Sequence, residues 1–277
     1  MTKWKNLKSQ ILAGTLEDSQ GERNTKKFLH TLCESFNAKG RMPLNQQHDM
    51  SLEPVGYIEN FKVIESVSNK DEWNLIGDVY FHDVDINEAL RGFSFSFTED
   101  IRGDIDNKLL SVYLPFPLYN DQPLINNLLD SGEGVVIGAW RKKSATPDQI
   151  ALIISGVLFI AGPAYTNLWN NKISPLFDRL LKNIGLGKSF DYIQTSQGHL
   201  GETFGIYFIP ARGKENNCFT LEKVIAGMDL VDAHRANDTM AKSKGIHLVK
   251  LIFSEATNSF ELKLIEYKDG SIINNPL

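Results

Sequence analysis

Two serines in an alternating run are the residues whose type and spacing best fit covalent chemistry. In Gly92-Phe93-Ser94-Phe95-Ser96-Phe97, phenylalanines alternate with hydroxyl side chains. Because successive side chains of a strand point to opposite faces, this run predicts one apolar face and one hydroxyl-bearing face. A hydroxyl on a rigid strand can act as a nucleophile if a base reaches it. His48 is the candidate base, since strand folds often bring distant residues side by side.

The elements around these residues follow from the hydrophobic pattern. Two strands are predicted over 56–66 and 72–82, with a turn at 68–71 between them. A short helix over 85–90 then leads to the serines. Before His48, the pattern predicts a helix over 4–13 and a second helix over 25–36 that is closed by Gly40. After the serines, it predicts a strand over 108–114, a short helix or turn over 124–129 and a strand over 135–140.

The order of these motifs resembles that of the prohead maturation proteases of tailed phages, which share a fold with the herpesvirus assemblins. The resemblance covers residues 40–130 and lies in short motifs: His48-Asp49, Pro54-x-Gly56, Leu75-x-Gly77-Asp78 and Gly92-x-Ser94. It implies a serine protease that cleaves assembly proteins or itself. His48 would be the general base and Ser94 the nucleophile.

The sequence departs from the family pattern just after the candidate nucleophile. Ser96 stands where the family usually has glycine, so Ser96 is the alternative nucleophile. A second interpretation is a catalytically inactive structural or interaction protein of viral or mobile-element assembly that uses the same fold. No local motif fixes the third catalytic residue; Asp121 is our candidate, and Asp130 is the alternative.

Composition excludes several other classes of function. The net charge of −5 argues against general nucleic-acid binding, which needs a basic surface. The two cysteines are far apart, and the histidines are scattered without a His-x-x-x-His pair, so we expect neither a metal site nor a cofactor. The N-terminal residues contain no apolar signal core, which predicts a cytoplasmic protein, in a host cell or associated with a virion. Expected partners are a protein substrate and a homo-oligomer or another assembly protein.

The most apolar segment follows residue 145. Thr146, Pro147 and Gln149 have the positions of a helix N-cap, first turn and capping box. No charged residue occurs from Ile150 to Trp169, which is close to the ~20 residues that span a bilayer. Gly162-Pro163 interrupts this run, so we predict a buried core helix, with a membrane-associated effector acting through 150–169 as the alternative. A further helix is predicted to begin at Ser174-Pro175.

The C-terminal part has the pattern of a compact αβ region. Strands are predicted over 205–210, 246–253 and 259–267, a helix is capped by Thr220, and a polar loop covers 191–202. The predicted fold class is therefore α+β. A β-rich, prohead-protease-like domain with N-terminal helices would occupy residues 1–145, and the apolar helical segment with the αβ region would occupy 146–277. The alternative boundary lies between Gly185 and Gly205.

Overall fold

A computed structural model describes residues 4–17, 23–44, 54–81, 96–103, 108–130, 132, 134–142, 149–154, 163–184, 189–211 and 214–276. These residues form both helices and strands, so the predicted α+β class is confirmed. The chain divides into two compact units, residues 1–97 with 142–145 and residues 98–141 with 146–277. This division differs from the boundary at residue 145, and from the alternative boundary between Gly185 and Gly205, that the sequence suggested.

The first unit contains a four-stranded antiparallel sheet. Its strands are β1 (Lys5–Gly14), β2 (Met42–Leu44), β3 (Gly56–Glu65) and β4 (Trp73–Phe81), in the order β1-β4-β3-β2. The strands predicted over 56–66 and 72–82 are thus confirmed.

One helix, α1 (Lys26–Lys39), packs on this sheet. It begins where the Thr25 hydroxyl accepts a hydrogen bond from the N–H of Phe28, and it ends at Gly40, which has a φ of 79°. The helix buries its apolar side chains in the core of the unit, with residues from β1, β3 and β4: Leu29, Leu32, Phe36, Leu12, Ile58, Phe61, Leu75, Val79 and Phe81. The helix predicted over 25–36 is confirmed.

The helix predicted over 4–13 is wrong, because these residues form strand β1. Its pairing with β4 shifts register between Leu7 and Gln10 and again between Ile11 and Ala13. Each shift disturbs the two-residue alternation of a strand. The apolar residues consequently recur at spacings that imitate a helix.

The second unit contains a nine-stranded mixed sheet in the order β13-β12-β11-β10-β9-β8-β6-β7-β5. Its strands are β5 (Ser96–Gly103), β6 (Leu110–Leu114), β7 (Val135–Lys142), β8 (Gln149–Ile154), β9 (Ser189–Gln197), β10 (Thr203–Ile209), β11 (Ile246–Ser254), β12 (Ser259–Tyr267) and β13 (Ile272–Asn274). Because β7 precedes residue 145 and β8 follows it, strands from both predicted domains share this sheet. The strands predicted at β6, β7, β10, β11 and β12 are confirmed.

Helical segments connect three parallel strand pairs of this sheet. Helix α2 (Gln122–Leu129) lies between β6 and β7, and α3 (Pro163–Leu168) with α4 (Ser174–Ile184) lies between β8 and β9. Between β10 and β11 come α5 (Glu215–Cys218), α6 (Leu221–Asn237) and α7 (Thr239–Lys244). Apolar side chains from these segments and from alternate strand positions form one core: Ile125, Leu128, Leu176, Leu180, Val224, Val231, Val112, Ile137, Tyr192, Phe208 and Leu251.

The predicted helix over 150–169 is wrong in its first part. Gln149–Ile154 is strand β8, which pairs with β6 and β9, and the described helix within the predicted range is α3, Pro163–Leu168. A short continuous apolar run fits a strand buried on both faces as well as it fits a buried helix. In the part of the chain that the structure describes, no helix is both long enough and apolar enough to cross a membrane.

The helix predicted to begin at Ser174-Pro175 is confirmed as α4, although it continues the helical path of α3. A π turn, Trp169–Ile173, joins α3 to α4, and the N–H of Ser174 donates to the carbonyl of Trp169, five residues back. Proline lacks an N–H and its ring clashes with the carbonyl four residues earlier, so Pro175 disturbs a regular α-helix. The wider hydrogen-bonding pattern just before Pro175 lets the helical path continue through it.

The polar loop predicted over 191–202 is also wrong, because most of it is strand β9. Gln194 and Ser196 are buried in this strand, and the Gln194 amide oxygen accepts a hydrogen bond of 3.1 Å from the Tyr165 hydroxyl. The same hydroxyl lies 3.0 Å from that of Tyr192. The polar residues Gln194 and Ser196 are thus buried in β9. Because a polar segment is typical of a loop, the sequence did not predict this strand.

Candidate functional site

The structure bears on only part of the predicted catalytic set. His48 and Ser94 lie outside the described residues, as do His82 and the helix predicted over 85–90. Ser96 is the first residue of β5, in the nine-stranded sheet, and its side chain lies outside the description. The distance from His48 to either serine therefore stays a prediction.

Asp121, the candidate third residue, is the N-cap of α2. Its Oδ1 accepts a hydrogen bond of 3.0 Å from the N–H of Leu124, and the side chain is exposed. A carboxylate at this position stabilises the first turn of a helix. Asp130, the alternative, follows the last turn of the same helix, where its N–H donates to the carbonyl of Asn126.

Two glycines of the prohead-type motifs are sterically required in the first unit. A β-carbon at Gly56, where β3 begins, would lie 1.9 Å from the Tyr80 carbonyl oxygen. A β-carbon at Gly77 in β4 would lie 2.8 Å from Cγ2 of Ile58 and 3.0 Å from Cδ1 of Leu12. The glycines thus allow β3, β4 and the core beneath them to approach this closely.

The motif aspartate, Asp78, ties β4 to both neighbouring strands. Its Oδ1 accepts from the N–H of Ser9 at 2.9 Å, and its Oδ2 accepts from the Asn60 amide at 3.1 Å. Ser9 and Asn60 both have positive φ angles, and both lie where pairing with β4 shifts register. The hydrogen bond from Ser9 is the largest of the effects that lower the pKa of Asp78 below its ordinary value. The carboxylate of Asp78 thus stabilises the β-bulges at Ser9 and Asn60 by hydrogen bonds.

A polar cluster that the sequence did not indicate lies on β5, four residues after Ser96. The Asp100 carboxylate accepts hydrogen bonds from the Tyr113 hydroxyl at 2.7 Å and from the Lys108 ammonium at 2.9 Å. Tyr113 is in register with Gly138 of β7, the strand between β6 and β5. The Tyr113 side chain therefore crosses β7 at Gly138, which has no side chain, and its hydroxyl reaches Asp100 on β5. The three partners come from separate stretches, so no local motif marks them.

A buried carboxyl lies farther along the same sheet. Glu266 of β12 is 9% exposed, Lys250 of the neighbouring strand β11 is 1% exposed, and Oε2 of Glu266 has no hydrogen-bond partner among the described residues. Burial raises the pKa of Glu266 to about 7, although the charge of Lys250 acts in the opposite direction. Glu266 is therefore a carboxyl that titrates near neutrality.

The charged residues at the end of α6 have structural contacts. Asp238 accepts hydrogen bonds from the Tyr267 hydroxyl at 2.6 Å and from the N–H of Met240 at 2.8 Å, and His234 lies 3.6 Å from its carboxylate. His199 is exposed, with Nε2 3.1 Å from the carbonyl of Arg235. Over the described ranges, no three His, Cys, Asp or Glu side chains are grouped so that they could hold a metal ion.

Comparison of this chain with protein-family models, curated proteins and solved structures gave no match.

Proposed function

We propose that this chain is a serine-protease-like protein of the prohead maturation type. Ser94 attacks a peptide carbonyl, His48 takes the proton of its hydroxyl, and backbone N–H groups near the strand hold the oxyanion. The substrates are other assembly proteins or the chain itself, which implies an assembly partner or a homo-oligomer.

The observation that carries this proposal is the antiparallel pair β3 and β4. The resemblance rests in part on Pro54-x-Gly56 at the start of one strand and on Leu75-x-Gly77-Asp78 within the next. Gly56 and Gly77 both occupy positions where a β-carbon would meet atoms closer than 3.0 Å, and the Leu75 side chain is fully buried. The motif residues are thus constrained by this strand pair, as the proposed relationship requires.

The test is labelling of the folded protein with a fluorophosphonate, followed by peptide mass spectrometry. We expect modification at Ser94, because only a serine next to a base is activated at neutral pH. Ser94→Ala should abolish labelling, whereas Ser243→Ala, which removes a serine of α7, should leave it unchanged. If the folded protein is modified at neither Ser94 nor Ser96, hydrolysis by this route is ruled out.

One observation favours the second candidate, a catalytically inactive structural or interaction protein of the same type. The Asp121 carboxylate already caps α2, so the residue predicted to complete the catalytic set has a structural role. This interpretation predicts a stable oligomer or a complex with an assembly partner, together with no labelling of either serine. Light scattering with size-exclusion chromatography measures the oligomer directly.

A further inference from the structure

A cleft of about 400 Å³ lies in the second unit between α4 and the short helix α5. This volume is within the range of small-molecule sites in proteins. The cleft has an aromatic and aliphatic floor and a charged rim, formed mainly by Phe177, Asp178, Leu181, Lys182, Glu215 and Phe219.

The floor is a pair of stacked phenylalanine rings. The centroids of Phe177 and Phe219 are 5.1 Å apart with an interplanar angle of 15°. Behind them, the fully buried ring of Tyr192 lies 5.8 Å from Phe177 and 6.0 Å from Phe219. Phe177 is 5% exposed and Phe219 is 9% exposed, and because the hydrophobic core fixes both rings, an apolar group can pack on their exposed parts without first ordering the site.

The rim carries two carboxylates and one ammonium group. Asp178 and Lys182 are exposed and lie one turn apart on α4, and the half-buried Glu215 comes from α5. A ligand with only a cationic group would be close to Lys182, and a ligand with only an anionic group would be close to the two carboxylates. A ligand that carries both charges can pair each with its opposite.

We propose that this cleft binds a free α-amino acid with a large apolar side chain, of the size of leucine or phenylalanine. Asp178 and Glu215 bind its ammonium group, Lys182 binds its carboxylate, and its side chain packs on Phe177, Phe219 and Leu181. The site does not depend on the proposed protease activity, since none of its residues belongs to the predicted catalytic set.

Isothermal titration calorimetry of the full chain with L-phenylalanine and L-leucine tests this proposal. Equilibrium dialysis of radiolabelled leucine detects binding whose enthalpy is too small for calorimetry. We expect a Kd of about 1 mM, which is reasonable for a ligand of about a dozen heavy atoms. Phenethylamine lacks the carboxylate and 3-phenylpropionate lacks the ammonium group, so each should bind about tenfold more weakly.

Three rim variants assign the contacts. Asp178→Asn, Glu215→Gln and Lys182→Met should each weaken amino-acid binding by about tenfold, whereas Asp229→Asn on the exposed surface of α6 should not change it. Circular dichroism of each variant confirms that it is folded. The proposal is overturned if neither amino acid binds saturably up to about 20 mM by either method. Equal binding of the analogues, or unchanged binding in all three rim variants, also overturns it.

Discussion

The carboxylate of Asp78 accepts a hydrogen bond from the backbone N–H of Ser9, 2.9 Å away on the neighbouring strand. Because Ser9 has a φ of 53°, this contact holds a conformation that serine rarely adopts. Asp78→Ala should therefore destabilise the first unit by about 1–2 kcal/mol in urea unfolding. Asp78→Asn keeps an acceptor and should cost less, while Glu34→Ala on the exposed side of α1 serves as the control. Equal stability of all three variants would contradict this role.

Replacement of Gly56 by alanine should prevent the first unit from folding. The added β-carbon would meet the carbonyl oxygen of Tyr80 and the Cα of Phe81, which are backbone atoms that cannot move aside singly. The matched control is Gly40→Ala, because that β-carbon meets nothing within 4 Å and costs only the strain of a positive φ, about 1 kcal/mol. Loss of the unfolding transition in the first variant alone is the expected result.

The two candidate serines should respond unequally to substitution if the chain is an enzyme. Residues two apart on one strand face are separated by about 7 Å, and a working base lies within ~3 Å of its nucleophile. Ser94→Ala should abolish cleavage of any substrate found, whereas Ser96→Ala should leave it largely intact. Neither substitution should unfold the protein, since a lost hydroxyl contact typically costs about 1 kcal/mol. Equal, mild effects on cleavage would remove Ser94 as the nucleophile.

Glu266 should make the stability of the second unit fall as the pH rises. Its pKa is raised to about 7 in the folded chain, against about 4.3 for an unfolded glutamate. Between these values the folded state binds the proton that the unfolded state releases, so stability decreases with pH by on the order of 4 kcal/mol in total. Above pH 7 the loss is complete.

Glu266→Gln cannot titrate and should therefore lose this part of the pH dependence. Urea unfolding at pH 5 and pH 8 should show a smaller drop in the variant than in the wild-type protein. Glu222→Gln, on the exposed part of α6, should behave like the wild type. The same drop in all three proteins would show that Glu266 ionises at its ordinary value.

Tyr113 and Asp100 should stabilise strand β5 as a pair. Removing the hydroxyl in Tyr113→Phe leaves the Asp100 carboxylate with one donor fewer, and hydrogen bonds to charged groups contribute about 1.5–3 kcal/mol. Hydrogen exchange of the β5 amides should accelerate accordingly. In a double-mutant cycle with Asp100→Asn, the combined loss should be smaller than the sum of the single losses. Additive losses would mean that the two residues act independently.

The sequence predicted those elements whose side-chain pattern matches their backbone. Strands β3 and β4 are rich in aromatic and β-branched residues and flank the turn predicted at 68–71, and α1 has a threonine cap and a glycine stop, so each was found within a few residues. Strand β1 was mistaken for a helix because its bulges displace the apolar residues, and β9 was missed because Gln194 and Ser196 are buried polar residues. Such features are set by tertiary contacts and leave no local pattern.

The residues of the candidate sites also fall into those that the sequence indicated and those that it did not. The motif glycines Gly56 and Gly77 were recognisable because they stand in short sequence motifs, although the atoms that a β-carbon would meet there lie on neighbouring strands. The cluster of Asp100 and its hydrogen-bond donors could not be recognised from the sequence. Tyr113 reaches Asp100 across the intervening strand β7, and only the strand order of the sheet brings the two residues together. The role of Asp121 as a helix cap could have been predicted from its position before Gln122-Pro123, a common start of a helix.

The π turn before Pro175 sets the direction in which the side chains of α4 point relative to those of α3. Tyr165, Trp169, Ile173 and Phe177 recur every four residues, and all four are buried. In a regular α-helix, twelve residues advance by about 1,200°, so Phe177 would point roughly 120° away from Tyr165. A turn that closes over one more residue winds more slowly and removes much of this drift. Deleting one residue from the turn would restore regular winding, and the eleven remaining residues would advance by about 1,100°, so Phe177 would stay within roughly 20° of the direction of Tyr165. The π turn therefore accommodates one extra residue without turning α4 away from the aromatic core.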